Sequence, residues 1–180
     1  MDRTSESVDR LWGSLGHDRR LHESPRFVDE LALQCRADLR LKATKVSKWS
    51  FGEQLEHLFL TSHYVLDRLE EAMTGKHSSE WMGFWGAGLM TAGFIPRGVF
   101  PTIPQLVPNS GTLAHVEPLR DLLLSRLSRI DWSLDQIMAS RGRSRHPRMK
   151  YMTASQWLFF QDVHHRHHLS IMRDIAKASR

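Results

Sequence analysis

Apolar residues recur every three or four positions in four segments of this chain, which is the spacing of amphipathic helices. The segments predict helices over about residues 25–42, 51–74, 112–140 and 153–180. The second helix has ordinary start and stop residues, since Ser50 and Glu53 can form a capping box before it and Gly75 ends it. No segment shows the alternation of apolar and polar residues that is typical of a half-buried strand.

Residues 75–111, between the second and third predicted helices, are rich in glycine, proline and aromatic side chains. Four prolines prevent any long regular element there: Pro96, Pro101, Pro104 and Pro108. The pattern therefore predicts an all-α fold, a four-helix bundle with one long crossover connection. We expect residues 25–180 to form this single domain. Residues 1–24, whose periodicity is weaker, are expected to form an N-terminal extension with a short helix.

The composition excludes several classes of protein. Of 180 residues, 41% are hydrophobic, which is enough for one sizeable core. Cys35 is the single cysteine, so neither an intrachain disulfide nor a cysteine-based zinc site can form, and its place on the apolar face of the first helix favours a buried, inert thiol. The N-terminus lacks a signal-peptide pattern, and the uncharged, apolar stretch 81–96 is too short to cross a membrane. We expect a cytoplasmic protein with no membrane partner.

Charge and aromatic residues leave more than one interpretation open. The formal net charge is +5, and the predicted loop over 141–150 is strongly basic. A solvated connection is favoured there over a contact with nucleic acid or an anionic substrate, and we expect no nucleic-acid partner. The aromatic run over 81–85 suits a substrate pocket, a subunit interface or the core. Because such a run seldom stays in water, we expect a homodimer in which the crossover contributes apolar surface.

The most unusual feature of the sequence is its histidine content. Four of the 11 histidines lie between residues 164 and 168. On a helix, Gln161, His164 and His168 fall within the apolar stripe of the fourth segment, whereas His165 and His167 turn away and are expected to be exposed. Two histidines one turn apart can bind one metal ion, although such a pair also occurs on surfaces or as hydrogen-bonded core residues.

A metal site needs a third ligand from another part of the chain. Apart from His115, which lies near the start of the third helix, the candidates within the other confidently predicted helices are His57 and His63. His57 lies off the apolar stripe of its helix, on a face that suits a groove better than a dry core. That face also carries Gln54, Thr61, Tyr64 and Arg68.

Three segments together resemble the DinB-like (YfiT-like) superfamily. They are Trp49–Leu58 on the second helix, Phe94–Gly98 in the crossover and His164–Leu169 on the last helix. The resemblance implies a four-helix bundle in which a histidine of the second helix and a His-x-x-x-His pair of the last helix bind a divalent metal, here His57, His164 and His168. The glutamine that usually follows the last histidine of the family is absent, since Ser170 and Ile171 stand there.

Such a site would leave coordination positions open, because three neutral imidazoles do not complete a metal's shell. We expect one divalent ion, zinc first, with nickel, iron or manganese as alternatives that ligand type does not separate. Gln161 and Glu53 are candidates for supporting the ligands, against the alternative that each is a solvated or capping residue.

The resemblance and the open site together predict a metal-dependent enzyme acting on a small molecule. It would be either a transferase that ionises a low-molecular-weight thiol or a hydrolase that activates water. The alternative is a non-catalytic metal-binding stress or interaction module. An accessible pocket beside the metal would favour the enzyme, and a closed site would favour the module.

Overall fold

The computed structural model describes residues 38–75 and 80–179. The predicted extension over 1–24, Cys35 and most of the first predicted helix lie outside these ranges. The described residues form five α-helices, one 3-10 turn and one β-hairpin. In chain order these are α1 (Phe51–Thr74), α2 (Phe84–Ala92), the 3-10 turn Pro104–Leu106, α3 (Leu113–Leu127), α4 (Leu134–Ala139), β1 (Arg143–His146), β2 (Lys150–Thr153) and α5 (Ala154–Ala178). The expected all-α architecture is confirmed, with the hairpin as an addition to it.

The centre of the fold is the contact between the two long helices α1 and α5, with α3 packed on α1. Both long helices begin with a capping box, in which Ser50 pairs with Glu53 and Thr153 pairs with Gln156. These reciprocal bonds satisfy backbone donors that a helix start leaves free. The core between the helices is apolar, and its fully buried side chains include Leu55, Leu58, Leu69, Trp157, Met172 and Ile175. No helix of the described residues is long and apolar enough to cross a membrane.

The first predicted helix does not extend to residue 42. Within the described part of the chain, residues 38–42 are turn and irregular backbone. Asp38 accepts a hydrogen bond from the backbone N–H of Arg40 at 3.0 Å, a local bond that competes with helix formation. The carbonyls of Leu39 and Leu41 then accept from Gly52 and Phe51, so this segment is tied to the start of α1.

The third predicted helix is wrong as one continuous element, because it divides into α3 and α4. After α3 the chain tightens into bonds of three-residue span, from Arg129 to Arg126 and from Ile130 to Leu127. Ser133 then starts α4 with its own capping box. Ile130 and Ile137 are both buried, so the apolar spacing that predicted one helix is satisfied by two.

The crossover also contains more regular structure than expected, namely the nine-residue helix α2. This helix ends at Gly93, before the first of the four prolines, and Gly93 adopts a left-handed conformation with φ of 68°. The aromatic run is exposed rather than packed in the core. Trp81, Phe84 and Trp85 are 72%, 86% and 76% exposed.

The basic segment is a β-hairpin instead of a solvated loop. Strands β1 and β2 pair in antiparallel fashion, with Ser144 opposite Met152. Both of these residues are fully buried, and the Ser144 hydroxyl donates to the Arg68 carbonyl of α1 at 2.6 Å. At the turn, the Met149 carbonyl accepts from the backbone of Gly83 at 3.0 Å. The hairpin is therefore fastened to both α1 and the beginning of α2.

Candidate metal centre

Three histidines from the two central helices meet at one point. His57 comes from α1, and His164 and His168 come from successive turns of α5. One ring nitrogen of each lies within 4.8 Å of those of the other two, and the ring centroids are 4.5–5.1 Å apart. All three side chains are buried. The structure thus brings together the three residues that the resemblance implied.

Hydrogen bonds fix which nitrogens of the cluster face inward. His57 donates from Nδ1 to the Leu106 carbonyl at 2.7 Å, and His168 donates from Nδ1 to the Gln54 side-chain oxygen at 2.6 Å. The Gln54 amide is itself oriented, because its nitrogen donates to the Ser47 hydroxyl at 2.8 Å. Since the protons of both rings stand on Nδ1, each Nε2 carries a free lone pair.

The environment keeps the three imidazoles neutral. Burial lowers the pKa of His57, and the Leu106 carbonyl opposes this shift only in part. Burial and then the proximity of the other histidines lower the pKa of His164 and His168 well below the ordinary value. A neutral imidazole is the form that binds a metal. The cluster is therefore in its ligating protonation state at neutral pH without a proton having to leave.

The arrangement of the ring nitrogens suits a bound divalent cation better than it suits hydrogen bonds among the three histidines. His57 Nε2 and His164 Nε2 are 3.3 Å apart, close to the separation of about 3.4 Å that two ligands of a tetrahedral zinc would have. His164 Nδ1 is buried without a hydrogen-bond partner among the described residues. A proton on His164 Nε2 could bond to one neighbour only, and the lone pair of His168 Nε2 would remain unsatisfied. A cation at the centre would satisfy all three lone pairs.

A cavity of about 170 Å³ opens beside the histidines, and all three of them line it. Its walls come from α1, α5, the crossover and the hairpin turn, and most of its lining residues are apolar. They include Leu89, Ile95, Phe100, Ile103, Leu106, Met149 and Phe160. Two polar residues of the hairpin, His146 and Arg148, also line the cavity, and both belong to the basic segment 141–150 that the sequence was expected to leave as a solvated connection. The centre is thus accessible from one side and not sealed in the core.

A sequence profile of the DinB superfamily matches residues 2–172 of the chain. This chain belongs to the DinB superfamily. The match spans α1, the crossover and the histidine cluster of α5, so the resemblance noted from short segments is confirmed over most of the sequence. No curated protein and no solved structure matches the chain significantly.

In this DinB-superfamily protein, the three clustered histidines are hydrogen-bonded by residues other than Glu53 and Gln161, which were the expected ones. The Glu53 carboxylate accepts from the backbone of Ser50 at 2.6 Å and is a helix cap. Gln161 donates to the Ser62 hydroxyl at 2.8 Å. Neither residue has a hydrogen bond with the cluster in the described structure, and the groups bonded to the rings of His57 and His168 are the Leu106 carbonyl and Gln54. Gln54 shares a helix face with His57, which was the one signal for it.

The prediction that His165 and His167 are exposed is wrong. His165 is only 2% exposed, and its Nε2 lies 3.1 Å from the Ser62 hydroxyl and 3.0 Å from the Gln161 amide. Burial lowers the pKa of His165 to about 3. His167 is half-buried and lines the cavity. Helix α5 is covered on more than one side, so its buried face is wider than one stripe.

The stability of this DinB-superfamily protein should fall in acid partly through His146. Burial and then the Arg148 charge lower the pKa of His146 to about 4, while an unfolded histidine titrates near 6.5. The unfolded chain therefore binds a proton at a pH where the folded chain does not, and stability falls as the pH drops from about 6.5 to 4. We expect His146→Asn to make the fall shallower by up to about 1.4 kcal/mol per pH unit.

Urea denaturation at a series of pH values measures this slope. Asparagine retains an acceptor for the backbone amides of Arg148 and Met149, both of which bond to His146 Nδ1 at 3.1 Å. An unchanged slope in the variant would contradict the assignment of this acid sensitivity to His146.

Proposed function

We propose that this protein is a metal-dependent enzyme whose divalent ion, zinc in the first instance, is bound by His57, His164 and His168. The observation that carries the proposal is the convergence of three buried, neutral imidazoles on the wall of an accessible cavity. A scaffolding site is usually closed by four protein ligands, whereas a catalytic site leaves a position for water or substrate.

Some residues of the chain would hold the ion, and others would position the substrate. A bound dication with three neutral ligands supplies Lewis acidity that lowers the pKa of a thiol or water. Gln54 and the Leu106 carbonyl hold the ligand rings in one tautomer. The Thr61 hydroxyl, one turn after His57, lines the cavity and has no hydrogen-bond partner among the described residues, so it is free to orient a polar substrate group.

Between the two reaction classes, the cavity favours thiol transfer over hydrolysis. None of the described residues that line it is an aspartate or glutamate, so the cavity lacks a carboxylate that could act as general base for water. A thiol needs no general base to the same extent, because its ordinary pKa is already near 8.5. The apolar walls also suit the carbon chain of an electrophile that the thiolate would attack. The accessible cavity also speaks against the non-catalytic module, for which a sealed site was expected.

The proposal predicts an activity that depends on metal and on the thiol supplied. Dialysis against a chelator should reduce turnover by about two orders of magnitude or more, and stoichiometric zinc should restore it. The assay pairs a chromogenic electrophile with a panel of low-molecular-weight thiols, beside a panel of esters and amides. Turnover in the first panel should rise with pH through the pKa of the bound thiol.

The second panel and the metal-free protein serve as controls for that assay. Turnover of esters or amides without any thiol would replace the transferase by the hydrolase. If the zinc-loaded protein turned over neither panel, the non-catalytic interpretation would become the better one.

We also propose a homodimer in which α2 contributes the interface. Phe84 and Trp81 are largely exposed, as are Phe94 and Val99 in the segment that follows α2. So many large exposed apolar residues in one stretch of the chain are more typical of an interface than of a monomer surface. Light scattering at micromolar concentration should therefore give twice the monomer mass.

Substituting Phe84→Glu should convert the dimer to a monomer, because a charge would be desolvated at the interface. Leu122→Glu is the matched control, since Leu122 is 54% exposed and belongs to a different helix, α3. A monomer mass for the unmodified protein would overturn the proposal.

A further inference from the structure

The hairpin turn forms a fixed polar edge on an otherwise apolar cavity. The turn is held against the crossover at two points. Gly83 donates to the Met149 carbonyl at 3.0 Å, and Arg148 Nη2 donates to the Pro101 carbonyl at 3.1 Å. Both Arg148 and Met149 line the cavity, as does His146. The Arg148 guanidinium is thus anchored at the cavity by one N–H and keeps its other donors for a ligand.

The charge of this edge is not balanced by the residues around it. Arg148 is the one permanently charged side chain among the described residues that line the cavity, and none of those residues is an aspartate or glutamate. No carboxylate of a described residue forms an ion pair with Arg148. The Pro101 carbonyl accepts a hydrogen bond but carries no charge. An anion entering the cavity would meet attraction and no opposing charge.

His146 adds a neutral donor beside this cation. Its Nδ1 accepts from the backbone amides of Arg148 and Met149, so the ring proton stands on Nε2. The ring is packed against Trp157 and Phe160 at centroid distances of 5.3 Å and 5.2 Å, which holds its orientation. The edge therefore offers one guanidinium and one N–H, which is a donor set for a group with two oxygens.

We propose that the substrate of this cavity is a small carboxylate with an apolar body, and that Arg148 is the residue that selects it. The proposal rests on the proposed function, since the same cavity contains the three histidines. A carboxylate matches a planar guanidinium in two parallel hydrogen bonds. A phosphate fits less well, because it carries more charge and a third oxygen that this edge has no further cation to meet.

The size of the cavity limits the apolar body. A volume of about 170 Å³ is close to the roughly 150 Å³ of an engineered apolar protein cavity that binds benzene. The part of the substrate that enters is therefore about as large as one aromatic ring or a short branched chain. Benzoate has this size and charge, and benzamide has the same shape without the charge.

Calorimetric titration of the zinc-loaded protein with these two probes tests the proposal. We expect benzoate to bind at least about 10-fold more tightly than benzamide, and Arg148→Gln to weaken benzoate by about 10- to 100-fold while benzamide changes little. Arg148→Lys should restore part of the preference, because it retains the charge but not the two parallel bonds. Arg145→Gln is the matched control, since Arg145 is an exposed residue of the same hairpin and does not line the cavity.

The outcomes separate this proposal from the metal site. Three results would each overturn the carboxylate proposal. They are equal binding of benzoate and benzamide, no binding of benzoate at about 10 mM, and equal losses of benzoate affinity in Arg148→Gln and Arg145→Gln. A preference for benzoate that disappears without zinc and is unchanged in Arg148→Gln would also overturn it, because the metal would then be the group that binds the carboxylate. Zinc binding is measured separately. A protein that prefers benzoate through Arg148 but binds no zinc would overturn the proposed function and leave this inference standing.

Discussion

Substituting His168→Ala is expected to abolish stoichiometric zinc binding, with a loss of affinity greater than about 100-fold. His168 supplies one of three converging nitrogens, and its Nε2 is directed inward by the bond from Nδ1 to Gln54. With two ligands left, the ion would need additional donors, and Glu53 is committed to capping α1. Titration calorimetry and metal analysis of the purified variant measure the change.

Two further variants show whether the loss of zinc affinity is specific to a ligand. His167→Ala is the control, because His167 neighbours His168 on α5 but is not part of the three-histidine cluster, so it should retain one zinc per chain. Gln54→Ala should weaken binding by about 10- to 100-fold, since it removes the partner that orients the His168 ring without removing a ligand. Full zinc affinity in His168→Ala, or equal losses in His168→Ala and His167→Ala, would contradict the three-histidine site.

Substituting Gly111→Ala is expected to destabilise the protein by about 2–4 kcal/mol. Gly111 has φ of 62°, a conformation that costs an L-residue, and an added Cβ would overlap backbone atoms of Gly52 and Glu53 at the start of α1. The same turn is clamped by the buried Glu56 carboxylate, which accepts from the backbones of Asn109, Ser110 and Gly111. Because Glu56 precedes His57, the strain would fall next to the three-histidine cluster.

Urea denaturation provides the comparison, with Gly88→Ala as the control. Gly88 lies within α2, and a Cβ added there meets no atom within 4 Å among the described residues. Alanine in an unhindered helix position stabilises by about 0.5–1 kcal/mol, so the two substitutions should move stability in opposite directions. Similar stabilities for the two variants would show that the close approach of Gly111 to α1 is not tight.

Features that depend on neighbours along the chain were determined by the sequence itself. The capping residue Ser50 placed the start of α1, and the segment opening at Thr153 placed the start of α5. The spacing of His164 and His168 on one face follows from helix geometry alone, since residues four apart are neighbours. The helical fold class and the DinB superfamily could be inferred from such local patterns.

Features that depend on distant residues were decided only by the tertiary structure. Gln54 and His168 are 114 residues apart, and no local pattern reveals that their side chains bond. The apolar spacing over 112–140 is shared by one long helix and by two short ones, and the Ser133 cap selected the latter. The basic segment placed Arg148 in the cavity because it pairs into a hairpin anchored to α1, to the start of α2 and to the loop that follows. The spacing of residues along a helix is set by backbone geometry. These contacts depend instead on how the loops bring distant segments together. The interaction energies that favour one such arrangement are spread over the whole core, so no single segment reveals it.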